Sequence, residues 1–366
     1  MTPEQELELL LRPAGGGVYV VSTGREAQLA MQKRLYGARS EEDVVIQFRE
    51  QLRRVADAKV VILAGPSDVG AGYVRGANLG PQAIRAALLD EDPTFPETAR
   101  ARGIVDLGDV FVVPQLLYDD MISDAQRRVT AAALYPSVTE EMRATLPVSP
   151  LSIAERALDL VLGVNPNVKV VMLGGDHSTA WPAVAALARA RGPNFGIVQI
   201  DAHTDLLETR LGVKYCFATW SYHANDLLGR GGRMTQVGIR ATRHDRGHWE
   251  QGLGVRQFWA DECLRDPAAA LDAIVAHVKS TGVRDLYFSN DIDGTDAKYA
   301  DATGTPEPDG LEPDFLVELI RRLGAELNFI GGDVMEVAPP VQRTPDGAKR
   351  TVALAVRYLR ATFDAL

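Results

Sequence analysis

The chain has 366 residues, of which 46% are hydrophobic, so it holds enough apolar material for one large core or for two domains. Its formal net charge of −10 argues against nucleic acid and anionic membranes as main partners. No apolar run approaches the roughly 20 residues that a membrane-spanning helix needs, and the N-terminus is acidic where a signal peptide would be basic. The two cysteines, Cys216 and Cys263, give no disulfide framework. These features predict a cytoplasmic protein.

Residues 1–58 are predicted to form an N-terminal helical extension. Two stretches, 3–11 and 40–56, have a helical pattern, and a Gly-rich break at 15–17 lies between them. The extension carries no recognisable chemistry, and an oligomer contact is one use for it. Residues 59–366 are predicted to form a single further domain.

From residue 59 onward, apolar strands alternate with helical patterns. Strands are predicted at about 60–63, 103–107, 168–173, 195–200, 234–239, 254–258, 284–289 and 326–331. Strands that alternate with helices pair in parallel, and a barrel and an open three-layer sheet both fit the count. Residues 110–150 interrupt the alternation and are predicted to be a surface insertion with a helix near 124–134.

A Gly-rich loop at 65–80 precedes a helix that is predicted to begin at Pro81. The loop has neither the G-x-G-x-x-G pattern nor the GK[ST] ending of phosphate-binding loops. It is therefore interpreted as a loop that shapes a site and not as a nucleotide cradle.

Three polar clusters each follow a predicted strand, and they lie at 174–178, 201–205 and 289–293. Residues i and i+2 of an extended chain point the same way, so the clusters bring two imidazoles and several carboxylates to the carboxyl end of the sheet. Unrelated capping aspartates are the alternative explanation. Buried carboxylates, however, cost several kcal/mol each unless they are paired or bind metal. The clusters therefore predict a site for two divalent cations.

The ligand types narrow the choice of metal. Zinc prefers Cys or His ligands, and neither cysteine has metal-site spacing. A carboxylate-rich set with two histidines suits Mn²⁺, with Ni²⁺, Co²⁺ or Fe²⁺ as alternatives. Two such ions roughly 3.5 Å apart would convert a bridging water to hydroxide near neutral pH.

The three clusters resemble the signatures of the arginase and agmatinase (ureohydrolase) family, and the resemblance covers about residues 59–363. Further matches are Gly80–Arg85, Asp106–Asp109, Gly238–Arg240, Thr303–Pro306 and Asp333–Val337. The resemblance implies a three-layer α/β/α fold with an eight-stranded, mainly parallel sheet. It also implies two Mn²⁺ per chain and a homotrimer or homohexamer.

The same resemblance implies the role of each site residue. One metal would take His177, Asp201, Asp205 and Asp291, and the other would take His203, Asp201, Asp291 and Asp293, with Asp201 and Asp291 as bridges. Asp205 would also hold the hydroxide by a hydrogen bond. Glu336 would bind the guanidinium of the substrate, since a planar cation with paired N–H donors calls for a carboxylate.

Segment 215–220 departs from the family pattern. The family usually has a Ser-His-Gly-Thr sequence there, whose histidine is thought to pass a proton to the leaving amine. Phe217 occupies that place and cannot carry a proton. His223 is predicted either to replace the donor or merely to pack or cap the next helix. The expected substrate contacts besides Glu336 are Phe217, Tyr222, His223 and Thr305.

These observations predict a metal-dependent hydrolase of a guanidino or amidino C–N bond in a small molecule. It is expected to resemble agmatinases more than arginases, because the Ser/Asn elements that hold an α-amino acid are missing, and to release urea and an amine. One alternative is a formimidoyl-type amidine hydrolase, which would release formamide. Another is a non-hydrolytic family member that binds metal together with an amine or a guanidinium.

Overall fold

The structure of the protein is a computed structural model, which describes residues 1–71 and 73–366. Residue 72, part of the Gly-rich loop predicted at 65–80, lies outside the described residues. The α-helices are α1 Pro3–Leu10, α2 Arg25–Tyr36, α3 Glu41–Arg53, α4 Gly80–Glu91, α5 Phe95–Arg102, α6 Asp124–Leu134, α7 Glu140–Arg143, α8 Pro150–Val164, α9 Trp181–Arg191, α10 Trp220–Leu227, α11 Arg246–Leu253, α12 Ala260–Arg265, α13 Pro267–Ser280, α14 Pro313–Glu326 and α15 Gly347–Ala365.

The strands belong to one nine-stranded sheet. They are β1 Leu11–Arg12, β2 Val60–Gly65, β3 Ile104–Val110, β4 Lys169–Gly174, β5 Gly196–Ile200, β6 Met234–Ile239, β7 Arg256–Trp259, β8 Asp285–Asn290 and β9 Asn328–Val334. Their order across the sheet is β1-β3-β2-β4-β9-β8-β5-β6-β7. All neighbours pair in parallel except β1 and β3, which are antiparallel.

The predicted eight parallel strands and the open α/β sheet are confirmed, and the barrel alternative is wrong because β1 and β7 lie at the two edges of the sheet. The count of eight missed β1. This strand has two residues, directly after α1, and is too short to leave an alternating pattern in the sequence.

The central strands are apolar because both faces of the sheet are covered. Every residue of β2 and β3 is buried. Successive residues point to opposite faces, so Val61 and Leu63 join one core cluster while Val60 and Ile62 join the other. Helices cover both clusters, and the result is the three-layer architecture that the sequence predicts.

The first 58 residues pack against the rest of the chain. Leu7 and Leu10 of α1 belong to the same core cluster as Val61, and β1 pairs with β3. The segment holds a third helix, α2, which the sequence analysis missed, because buried glutamines at 28 and 32 weaken its apolar stripe. The division into an extension and a second domain stays a prediction.

The insertion at 110–150 contains α6, at the predicted position, and the short helix α7. None of the helices within the described residues combines the length and the apolar character that crossing a membrane requires.

Candidate metal centre

The polar clusters meet at one edge of the sheet. His177 follows β4, the segment 201–205 follows β5, and Asp291 and Asp293 follow β8. Glu336 lies two residues after the end of β9, which is between β4 and β8 in the sheet. Because parallel strands end together, four separate parts of the sequence converge there.

The first group of candidate ligands surrounds the Nδ1 atom of His177. This atom lies 3.1 Å from Asp291 Oδ2, 3.2 Å from Asp201 Oδ2 and 3.3 Å from Asp205 Oδ2. Burial would lower the pKa of His177, but the three carboxylates outweigh it and raise the pKa well above its usual range. A positively charged partner is therefore required at Nδ1, either a proton or a metal ion.

The other nitrogen of His177 is held by a serine. Its Nε2 lies 2.9 Å from Ser289 Oγ, and Ser289 Oγ donates to Asp333 Oδ1 at 3.0 Å. The serine has a single hydroxyl hydrogen, so its oxygen accepts from Nε2–H. A neutral His177 then presents a bare Nδ1 lone pair to the carboxylates, and Nδ1 has no hydrogen-bond partner. A second residue that fixes the imidazole in this way is typical of metal-binding histidines, so the donor set fits a divalent cation.

The second group surrounds His203. Its Nδ1 lies 3.1 Å from Asp293 Oδ2 and 3.5 Å from Asp201 Oδ1. Burial would lower the pKa of His203, but Asp293 and Asp201 outweigh burial and raise the pKa to about 12. Thr305 Oγ1 donates to Asp293 Oδ2 at 3.1 Å, so this predicted substrate contact borders the second group.

Asp201 belongs to both groups of potential metal ligands. Its Oδ2 accepts from Gln199 Nε2 at 2.7 Å, and its Oδ1 accepts the backbone N–H of His203 at 2.6 Å. Burial would raise its pKa, but His177 and His203 outweigh burial and lower it. Asp201 thus lies within 3.5 Å of the Nδ1 atoms of both histidines, whereas Asp291 contacts only that of His177, at 3.1 Å. The bridging roles of both aspartates stay predictions.

Asp205 is also held by an aromatic residue. Trp220 Nε1 donates to Asp205 Oδ2 at 3.1 Å, and the Trp220 ring lies 4.6 Å from the His177 ring. Burial and the neighbouring Asp201 raise the pKa of Asp205 to about 7. Asp205 also has a left-handed backbone with φ of 52°, which is unfavourable for a residue other than glycine.

Glu336 is buried next to the same centre. Its Oε1 accepts the backbone N–H of His177 at 2.9 Å, and its own N–H donates to Gly175 O at 2.8 Å. Burial, followed by the charge of Asp176, raises the pKa of Glu336 well above its usual range. A Cβ atom on Gly304 would lie 3.9 Å from Glu336 Oε2, so this glycine borders the second oxygen. Glu336 has φ of 61°, and backbone strain of this kind is concentrated at functional sites.

His223 is held by backbone carbonyls. Its Nε2 lies 3.0 Å from Glu208 O and 3.1 Å from Lys214 O. The His223 ring packs edge-on against Tyr215, with 5.0 Å between ring centroids, and burial lowers its pKa. These contacts favour the packing alternative, and the role of proton donor stays a prediction.

Phe217 and Tyr222 are partly buried. The Phe217 N–H points to Gly70 O at 3.4 Å, and the Arg210 guanidinium carbon lies 4.6 Å from the centre of its ring. The Tyr222 N–H donates to Asp205 O at 3.3 Å. Both residues are thus next to segments that carry candidate site residues, and their substrate contacts stay predictions.

The sequence analysis missed the residues that orient the ligands, namely Gln199, Trp220 and the pair Ser289 and Asp333. Gln199 left one signal, since it is the single amide in an otherwise apolar strand. Ser289 lies in the third cluster, but its partner Asp333 is on another strand, so its role depended on strand order.

Comparisons with known proteins agree with this arrangement. A family model described as the arginase family matches residues 58–363. The guanidino acid hydrolase of Homo sapiens mitochondria is 31% identical over 303 residues, which cover 80% of this chain and 74% of that protein. The proclavaminate amidinohydrolase of Streptomyces clavuligerus is 31% identical over 290 residues, or 76% of this chain and 80% of that protein. The crystal structure of an agmatine ureohydrolase from Thermoplasma volcanium matches with a TM-score of 0.62 and 27% identity, over 85% of this chain and 90% of that one.

Proposed function

The chain belongs to the arginase family of guanidino and amidino hydrolases, and on that premise we propose that it is a binuclear, agmatinase-like ureohydrolase that releases urea and an amine. The observation that carries the proposal is the convergence of three carboxylates, those of Asp201, Asp205 and Asp291, within 3.3 Å of His177 Nδ1, while Ser289 Oγ holds the other ring nitrogen.

The proposed metal ligands are the two histidine groups together with the carboxylates around them. The first set is His177, Asp201, Asp205 and Asp291, and the second is His203, Asp201, Asp291 and Asp293. Two Mn²⁺ ions suit these carboxylate and imidazole donors, with Ni²⁺, Co²⁺ or Fe²⁺ as alternatives. When bound, the ions supply Lewis acidity and a nucleophile that is available near neutral pH.

Glu336 is the proposed anchor for the substrate cation. The backbone N–H of His177 donates a hydrogen bond to one oxygen of Glu336 and so fixes the orientation of the carboxylate. The other oxygen, next to Gly304, is left for the N–H groups of a guanidinium. A bound cation would also favour the charged form of Glu336, which burial alone disfavours.

Asp205 is the proposed carrier of the proton that leaves the attacking water. Its Oδ2 is held by Trp220. The Oδ1 atom can accept a proton and pass it to the leaving amine over a short distance. The position of Asp205 in the first histidine group, with Oδ2 at 3.3 Å from His177 Nδ1, supports this role.

The test is product analysis with a panel of guanidino compounds in the presence of Mn²⁺ or Ni²⁺. We expect urea release from at least one compound, and we expect Glu336→Gln to reduce turnover by about 10²-fold or more, because a hydrogen bond to a charged group is lost. Metal content should stay near that of the unchanged protein. Glu326→Gln is the matched control, since Glu326 is an exposed residue of α14.

The same panel separates the alternatives. Formamide release from a formimino compound, without urea, would identify the formimidoyl-type hydrolase. Metal binding without any product would identify the non-hydrolytic alternative. Full activity of Glu336→Gln would show that the substrate is neither a guanidinium nor an amidinium. The homotrimer or homohexamer and the cytoplasmic location stay predictions.

A further inference from the structure

A line of buried amide side chains crosses three strands beside the metal centre. Gln199 of β5 is in register with Gln236 of β6, and Gln236 is in register with Gln257 of β7. All three side chains are 0% exposed. Strands that are covered on both faces normally carry apolar residues, and a buried amide is costly unless it is hydrogen-bonded. The line therefore calls for an explanation.

The amides form a continuous series of hydrogen bonds that ends on Asp201. Trp259 Nε1 donates to Gln257 Oε1 at 3.0 Å, and Gln257 Nε2 donates to Gln236 Oε1 at 2.8 Å. Gln236 Nε2 then donates to Gln199 Oε1 at 2.8 Å, and Gln199 Nε2 donates to Asp201 Oδ2 at 2.7 Å. We call Trp259 and the three glutamines the glutamine chain.

The glutamine chain has only one possible direction. An indole N–H at the Trp259 end can only donate, and an ionised carboxylate at the Asp201 end can only accept. Every amide between them must therefore present its oxygen toward Trp259 and its nitrogen toward Asp201. Reversing one amide would place two donors or two acceptors face to face. The indole on the edge strand thus helps to fix the donor that reaches Asp201.

Two further bonds brace the chain against neighbouring segments. Ser221 Oγ donates to Gln199 Oε1 at 2.5 Å, and Gln236 Nε2 also donates to Thr204 O at 2.5 Å. Ser221 is in the helix whose first residue, Trp220, holds Asp205. Thr204 lies between two candidate metal ligands. The glutamine chain therefore holds the segment after β5 as well as the carboxylate of Asp201.

We propose that the glutamine chain positions Asp201 for metal binding; this inference rests on the proposed role of Asp201 as a shared ligand. Each oxygen of Asp201 accepts one hydrogen bond, from Gln199 at Oδ2 and from the His203 N–H at Oδ1. One further lone pair remains on each oxygen. Oδ2 lies 3.2 Å from His177 Nδ1 and Oδ1 lies 3.5 Å from His203 Nδ1, so the fixed carboxylate serves both groups.

The test measures metal affinity rather than turnover. Mn²⁺ is titrated into metal-free protein by calorimetry or in competition with a chelator. Gln199→Met keeps the size of the side chain but removes the donor, and we expect a loss of about 10- to 100-fold in affinity, the usual effect of removing a residue that orients a ligand. Gln32→Met is the matched control, because Gln32 is also buried and donates to Ala14 O at 2.9 Å, among residues outside the glutamine chain. The control should keep full affinity.

A double-mutant cycle separates positioning from ordinary stability. Trp259→Phe removes the indole N–H together with part of the ring, and we expect a smaller loss of affinity in the same direction. In the Gln199→Met background it should have no further effect, because the chain is already broken at Asp201. Affinity losses that add, or unchanged affinity in both single variants, would overturn the inference.

Two outcomes need to be kept apart. If the unchanged protein binds no Mn²⁺ or Ni²⁺, the proposed function itself fails. If it binds metal and the variants bind equally well, only the role of the glutamine chain is wrong. Should Gln199→Met fail to fold, Trp259→Phe decides the question alone, since it keeps an aromatic ring at this half-buried position and an unchanged affinity would then contradict the proposal.

Discussion

The protein contains two buried clusters of carboxylates whose negative charge is compensated in different ways. In the first, Arg85 bonds to both oxygens of Asp106 at 2.8 Å and to Asp109 Oδ1 at 2.5 Å. The remaining oxygen of Asp109 accepts the N–H of Gly17 at 3.1 Å. This arginine cluster draws its cation from the chain itself.

The metal centre has no such arginine. Within the described part of the chain, no lysine or arginine forms an ion pair with Asp201, Asp205, Asp291 or Asp293. Arg240 is the nearby guanidinium, and it donates to backbone carbonyls such as Asp293 O at 2.8 Å. The comparison indicates that a cluster with its own arginine stabilises the fold, whereas a cluster without one takes its cation from solution and can be functional.

The largest effect should come from removing a shared charge in the metal centre. Asp201→Asn removes a charge that two cations would share, and Asp291→Asn does so if Asp291 bridges as predicted. We expect each variant to lose proper binding of both metals and, with it, turnover. Elemental analysis of the purified variants is the measurement, and two metals retained per chain at full affinity would show that the bridges are misassigned.

Breaking the arginine cluster should lower the stability of the fold and not metal binding. Arg85→Met leaves Asp106 and Asp109 buried without a positively charged partner, and we expect the free energy of unfolding to fall by about 3–5 kcal/mol. Denaturant titration measures this. The control is Arg34→Met, because the Arg34 and Asp90 side chains are 44% and 69% exposed and such pairs contribute about 0–1 kcal/mol. Equal losses of unfolding free energy in Arg85→Met and Arg34→Met would contradict a stabilising role for the arginine cluster.

Metal removal should change the thermal stability of the whole protein to a smaller extent. A ligand that binds only the folded state stabilises it by about 2.7 kcal/mol at a concentration of 100 Kd. We therefore expect chelation to lower Tm and Mn²⁺ to restore it in a concentration-dependent way. Because the ligands must be deprotonated, metal affinity should weaken as the pH falls below neutral. If added Mn²⁺ left Tm unchanged at every pH from 5 to 8, the result would contradict a metal centre at this site.

The smallest effect is expected at His223, which separates its two alternatives. A general acid contributes about 10²- to 10⁴-fold to kcat. Since Nε2 of His223 is engaged by two carbonyls, we expect His223→Ala to reduce kcat by less than this range and to lower Tm. A loss within the range, at unchanged Tm and metal content, would support the proton donor. Phe217→His should be tolerated in either case.

The sequence predicted the features that are contiguous in the chain and those that recur along it. Eight strands left long apolar runs, and each metal cluster is contiguous at a strand end, so both could be recognised. The orienting bonds could not, because Ser289 meets Asp333 and Gln199 meets Gln236 only through strand register. The contacts of His223 depend on how residues 208–214 fold back, and the sequence does not specify that path.

The order of the strands also bears on the sequence of events during synthesis. Strand β9 comes after the other eight strands in the sequence but lies between β4 and β8 in the sheet, and it pairs with both. It therefore connects the strand that precedes His177 to the strand that precedes Asp291. All six proposed ligands lie before residue 294, ahead of β9. When all six ligands have been synthesised, the chain still lacks the strand that aligns them. Pairing between segments that are distant in the sequence is also slow to form. The ability to hold both metals would therefore be acquired only after β9 has been made and has paired with β4 and β8.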